Sequence, residues 1–145
     1  MAEQQLPPFG QAVAFAQRDL SALLARFLDE IGTSPGTWYA FQTIAARGPA
    51  RSAIVDELAQ APGGDGVWAS DQLDRLASEG LVEVADDERR TVRLTAEGEA
   101  RFRSLRDNVA GLTAELMSPF DPAAIRTTVR TLQALTERAG TLHAG

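Results

Sequence analysis

Apolar residues fall along this chain in stripes whose spacing changes twice. Between about Gln11 and Ile31, Leu20, Leu23, Leu24, Phe27, Leu28 and Ile31 recur every three or four residues. That period places them on one face of a helix. Gly32 follows where a left-handed C-cap residue is usual. Ser34 then Pro35 supplies a serine N-cap and a proline at the first helical position. The second helix so predicted turns Trp38, Phe41, Ile44 and Ala45 inward and closes at Gly48-Pro49. Ser52 is placed to cap a short third helix with Ile54, Val55, Leu58 and Ala59 inside. After the turn Ala61-Pro62-Gly63-Gly64, a fourth helix is predicted from Asp65 to Glu79, with Ala69, Leu73 and Leu76 on its inner face and Gly80 as its stop.

The period then drops to two. Leu81–Val84 and Thr91–Leu94 read as paired strands around the charged tip 86–90. Thr95 caps a long helix reaching about Met117, in which Phe102, Leu105, Val109, Leu112 and Leu116 make a coiled-coil-like seam. Residues 118–122 break the chain, and a final helix carries Ile125, Val129, Leu132 and Leu135. Residues 1–10, polar and proline-containing, are expected to form a flexible arm. The order of elements predicts a mainly α fold with a small β-hairpin wing, a winged helix-turn-helix over 34–98. The helices at 11–31 and 100–140 are surplus to that domain. Their apolar faces need cover, and a second copy of the chain is the simplest cover, so they are expected to be dimerisation helices.

Composition narrows the chemistry. Of 145 residues, 44% are hydrophobic and 23% charged, ordinary globular usage. No apolar run approaches the roughly 20 residues of a membrane-spanning helix. The start MAEQQLPPFG carries no secretory pattern. A cytoplasmic protein with no membrane partner is expected. With no cysteine there is no disulfide, thiolate metal site or thiol switch. The single histidine, His143, sits at the tail, a poor place for a Ser-His-Asp triad or a zinc ligand. All 14 basic residues are arginine, which excludes a Schiff-base or P-loop lysine. No metal, cofactor or catalytic residue is expected, and the reading leans away from an enzyme. Abundant alanine and arginine without lysine suggest a bacterial, high-GC source.

Several local motifs, in order, resemble the MarR family (multiple-antibiotic-resistance regulators) from about residue 11 to 140. Ser34-Pro35-Gly36-Thr37-Trp38-Tyr39-Ala40-Phe41 is similar to the family's helix opening, and Gly48-Pro49 to its helix break. Leu73-Asp74-Arg75-Leu76 through Gly80-Leu81-Val82 is similar to the family's DRLE..GLV signature. Asp87-Glu88-Arg89-Arg90 resembles its acidic-x-Arg wing tip, and Leu94-Thr95-Ala96-Glu97-Gly98 its LTxxG entry to the long helix. The resemblance implies a homodimeric winged-helix regulator that binds palindromic operator DNA and releases it when a small, often aromatic, ligand binds.

On that resemblance, the fourth helix would face DNA with Trp68, Asp71, Gln72 and Arg75, and the wing with Arg89 and Arg90. Gln72 suits adenine and Asp71 suits cytosine N4; arginine suits a minor groove. The plainer alternatives are a solvated helix face, an Arg75–Glu79 ion pair at i,i+4, and wing arginines paired with Asp86, Asp87 or Glu88. Trp68 is either an exposed contact or buried by the longer turn before it. Phe15, Arg18, Trp38, Tyr39 and Gln42 are candidates to line a ligand pocket between dimer helices and winged domain, or plain core.

The sequence departs from the family pattern at the DNA-facing positions. Asp71 stands where a basic residue is usual, Trp68 where a hydroxyl is usual, and the wing is about one residue shorter, which brings Glu88 to the wing-arginine position. Net charge is −6, and residues 50–95 hold ten acids against five arginines. Affinity for DNA rests largely on phosphate neutralisation. Two readings therefore stand beside the regulator: a MarR-like scaffold that has lost DNA binding and serves as a small-molecule binder or enzyme, and an acidic antirepressor.

Overall fold

The computed structural model describes residues 5–47 and 49–144. Gly48 of the predicted helix break and the first four residues of the predicted arm lie outside them. The chain forms α1 (Phe9–Glu30), α2 (Pro35–Arg47), α3 (Arg51–Leu58), α4 (Gly66–Ser78), β1 (Val82–Val84), β2 (Val92–Leu94), α5 (Ala96–Met117) and α6 (Pro122–Ala144). This is the expected mainly helical fold with one antiparallel hairpin. It divides into two compact units, Met1–Arg103 and Ser104–Gly145. No helix among the described residues is long and apolar enough to cross a membrane.

Local chemistry sets the boundaries. α1 starts at Phe9 and so takes in the last two residues of the stretch expected to be an arm, because Pro8 sits at its N-cap and supplies a carbonyl to Ala12 N–H at 2.9 Å. It ends as expected: Gly32 takes φ +77°, and Thr33 N–H donates back to Leu28 at 2.9 Å. Ser34 Oγ caps α2 by accepting from Thr37 N–H at 3.2 Å. The third helix departs from expectation. Its N-cap is Ala50 with no side-chain bond, not Ser52, because the wing captures this segment. Arg51 N–H donates to Arg89 O at 3.3 Å, and Val92 N–H to Pro49 O at 2.7 Å. Asp65 Oδ1 caps α4 by accepting from Trp68 N–H at 2.8 Å, a device typically contributing about 1 kcal/mol.

The core of the first unit joins Leu28, Trp38, Phe41, Ile54, Leu58, Leu73, Leu76, Leu81 and Val92, all buried. Each such side chain contributes roughly 1.5–3 kcal/mol on burial. On α2 the inner face is Gly36, Trp38, Ala40 and Phe41; Ala45, expected inside, is exposed, and Ile44 is half-buried. Phe102, at the start of α5, stacks on Phe41 with ring centroids 5.5 Å apart and tilts against Trp38 at 6.0 Å. Register in the hairpin is Val82↔Leu94, Glu83↔Arg93 and Val84↔Val92. Thr91 bridges to Ala50, which ties the wing to the α2–α3 connection.

In the second unit, Leu105 is buried and Val109, Leu112 and Leu116 are half-buried. Asp121 caps α6 through Ala123 N–H at 3.2 Å. Val129, Leu132, Leu135 and Leu142 of α6 are exposed, and α6 has no buried residue.

Candidate nucleic-acid interface

In a winged helix-turn-helix, α4 and the wing tip are the elements that meet nucleic acid. On α4, burial of Ala69, Gln72, Leu73 and Leu76 fixes the inner face. The outer face at helical spacing is Val67, Asp71, Asp74 and Ser78, all exposed, with Val67 at 74%. It carries two carboxylates, and the one cation of α4, Arg75, stands exposed at its edge, four residues on from Asp71.

Gln72 requires a correction. Its polarity predicts an outward side chain, but it is buried, and its carboxamide fills the space beside Gly36 on α2. A Cβ at Gly36 would run into Gln72 and stand 3.2 Å from Trp68 Cζ2. The missing side chain on α2 is what admits both residues, so the Gln72 side chain lies mostly against α2 rather than out in solvent. Trp68 is half-buried, its indole over Gly36 and Gly64. The ring therefore lies between the two expected readings, packed in part against the turn before α4 and in part open to solvent. Asp71 is exposed as expected. Arg75 is exposed but faces a cleft beside α1 and α2, and no ion pair with Glu79 forms among the described residues.

Arg51 is a residue that the sequence pattern does not single out. Its Nη2 donates to Ser70 Oγ at 2.7 Å and Asp74 Oδ1 at 3.3 Å, locking α3 to α4. Only the helix start after Pro49 hints at it; the partners lie 19 and 23 residues away in sequence.

The wing tip is built differently. Asp87 Oδ1 accepts from Thr91 N–H at 3.0 Å, and Oδ2 from Thr91 Oγ1–H at 2.7 Å. These bonds, the hydroxyl's first, hold the carboxyl below its ordinary range, with help from the Arg90 and Arg89 amides. Arg90 adopts φ +51°, an uncommon conformation for a residue other than glycine, at the point where the chain turns back. Arg89 and Arg90 are exposed, and among the described residues neither closes an ion pair. The expected alternative, arginines neutralised by Asp86, Asp87 or Glu88, is not what the tip does: Asp87 spends its oxygens on Thr91. Arg89 and Arg90, with Arg51, Ser52 and Glu88, rim a notch of about 400 Å³ at the start of α3.

The candidate ligand-pocket residues separate into two groups. Trp38 is a core residue packed against Phe102, not a free wall. Phe15 and Arg18 are exposed on α1, the guanidinium 5.2 Å above the ring and also 3.0 Å from Asp19. Tyr39 is half-buried and Gln42 exposed.

No protein-family model and no curated protein sequence matches the chain significantly. Solved structures do. The transcriptional regulator PA3341 superposes with a TM-score of 0.75 at 21% identity, over 92% of this chain and 99% of that one. The apo wild-type MarR of E. coli gives 0.68 at 20%, over 90% and 98%. A Mycobacterium tuberculosis MarR-family protein in complex with p-aminosalicylic acid gives 0.69 at 16%, over 90% and 99%. The fold is therefore that of the MarR-family winged helix-turn-helix proteins along nearly the whole chain.

Proposed function

We propose that this chain is a homodimeric, MarR-like transcriptional regulator whose grip on DNA is led by the wing rather than by α4. The observation that carries this reading is the wing tip, where Arg89 and Arg90 stand exposed and without ion pairs on a hairpin tied to α3. Arginine on a protruding hairpin is suited to the minor groove and its phosphates. A second copy is the natural cover for the open leucine face of α6. It would set two reading units about 34–36 Å apart on a palindromic operator. Small-molecule response enters as part of the same reading. Phe15 and Arg18, open on α1, and Tyr39 and Gln42 on α2 are the side chains this reading assigns to an aromatic ligand.

One observation favours a second reading. The outer face of α4 offers phosphates Asp71 and Asp74, with a single arginine, the exposed Arg75, at its edge beside the cleft. A scaffold that keeps the fold and binds small molecules without DNA would look like this.

Fluorescence anisotropy against a pool of source-genome promoter fragments, at about 50 and 200 mM salt, separates the two, since the salt slope reports how many phosphates are neutralised. Selective, salt-sensitive binding by a particle of twice the chain mass is expected. Absence of binding at the lower salt would overturn the regulator in favour of the binding scaffold.

A further inference from the structure

Within the first unit, the C-terminal half of α4, the α1–α2 turn and the first turns of α5 enclose a cleft of about 470 Å³. That size lies in the range of small-molecule sites. Its charged lining is Arg75 and Glu79 from α4 and Glu97 and Arg101 from α5, with hydroxyls from Ser34 and Thr37. We propose that this cleft binds a free α-amino acid in its zwitterionic form.

The argument rests on charges that share a space without neutralising each other. Arg75 and Glu79 are four residues apart on one helix, and so are Glu97 and Arg101 on the other. Pairs at that spacing commonly close, the glutamate-first order of Glu97 and Arg101 most readily. Neither pair does: among the described residues the side chain of none of the four makes an ion pair or a hydrogen bond, the Ser78 hydroxyl reaching only the backbone carbonyl of Arg75. Two guanidinium groups and two carboxylates thus line one cleft with their hydrogen-bonding capacity unspent.

The balance of signs selects the ligand. The charged lining sums to zero, so a simple anion is opposed by Glu79 and Glu97, and a simple cation by Arg75 and Arg101. A molecule carrying both charges on one carbon offers a carboxylate to the guanidinium forks and an ammonium to the carboxylates, each a charge-assisted pair. Ser34 and Thr37 already share a hydrogen bond at 3.1 Å and present oxygens to the same space. They favour a polar side chain on the ligand. Bound there, the amino acid would link α4 to α5 and to the start of α2, and so bear on the position of α4. The site is independent of the DNA reading, because its occupancy is read on the protein alone.

The test is a thermal-shift screen of the purified protein against each of the twenty free L-amino acids at about 10 mM, a concentration at which millimolar binders raise the melting temperature by mass action. Hits are then titrated calorimetrically beside two analogues, one lacking the α-ammonium and one lacking the α-carboxylate. For glutamine these are 4-carbamoylbutanoate and 4-aminobutanamide. One or more polar amino acids should bind, and each analogue should bind at least about tenfold more weakly, the loss that one charge-assisted bond predicts. Glu79→Gln and Arg101→Gln should each show the same loss; both replace exposed side chains and leave the core intact. No amino acid binding, an analogue binding as tightly as its parent, or wild-type affinity in both variants would overturn the proposal.

Discussion

α4 and the wing tip are the two surfaces that the proposed regulator would turn toward DNA, and they use their side chains in opposite ways. α4 spends its polar residues inward. Gln72 fills the gap at Gly36, Trp68 covers Gly36 and Gly64, Asp74 holds Arg51, and Arg75 faces the cleft. The side chains it leaves exposed include Val67, Asp71, Asp74 and Ser78, with Arg75 as the only cation among them. The wing tip does the reverse. Asp87 is consumed by the turn itself, through Thr91, and this leaves Arg89 and Arg90 outside. A segment total of ten acids against five arginines therefore says little about which surface is attractive to phosphate. The partner of each charge decides it.

The contrast predicts a large effect on stability from one element and a small one from the other. Leu73→Ala removes a side chain that is 1% exposed. It should cost about 2–5 kcal/mol, through the forfeited burial and the cavity left behind, and should loosen α4 from α2. Chemical denaturation measures this. Arg89→Ala with Arg90→Ala touches no core residue and should change stability by no more than about 0.5 kcal/mol. A wing variant as damaging as Leu73→Ala would show that the arginines are structural, and the contrast would fail.

A smaller effect sharpens the picture of the tip. The carboxyl of Asp87 lies below its ordinary value of 3.8 because the charged form accepts the Thr91 bonds. A lowered folded-state value means a stabilising contribution fully present above pH 3.8 and lost as pH falls through the lower, folded value. The tip should thus keep its shape at neutral and mildly acid pH and loosen only in strong acid. The Thr91 amide resonance reports it: its shift should follow a titration below 3.8, and Asp87→Asn should abolish that titration. A midpoint above the ordinary carboxylate value would contradict the hydrogen-bonding scheme.

Most of the fold is legible in the sequence because its signals are local. Ser34-Pro35, Gly32, Gly80 and Thr95 act within a turn or two of themselves, and Thr95 Oγ1 does cap α5 through Gly98 N–H at 3.0 Å. The misses are long-range. Ser52 is a reasonable cap by spacing, but the start of α3 is set by a wing strand some forty residues later. Gln72 has the polarity of an outward residue, and only the absence of a side chain at Gly36, on another helix, makes room for it inside. The cleft charges are visible as two i,i+4 pairs, yet that α4 and α5 bring both pairs to one cleft is a tertiary fact. The apolar stripe on α6 reads as a face wanting cover, and its leucines are indeed exposed, but periodicity does not name what covers them.

The most direct measurement is the salt dependence of operator affinity for three proteins: wild type, Arg89→Ala with Arg90→Ala, and Asp71→Asn. If the wing leads, the double variant should bind at least about tenfold more weakly at low salt, with a slope flattened by roughly 0.9 for each phosphate it no longer neutralises. Asp71→Asn should bind more tightly than wild type, since it removes a carboxylate from the face opposed to phosphate. Wild-type affinity and slope in the double variant would contradict a wing-led grip.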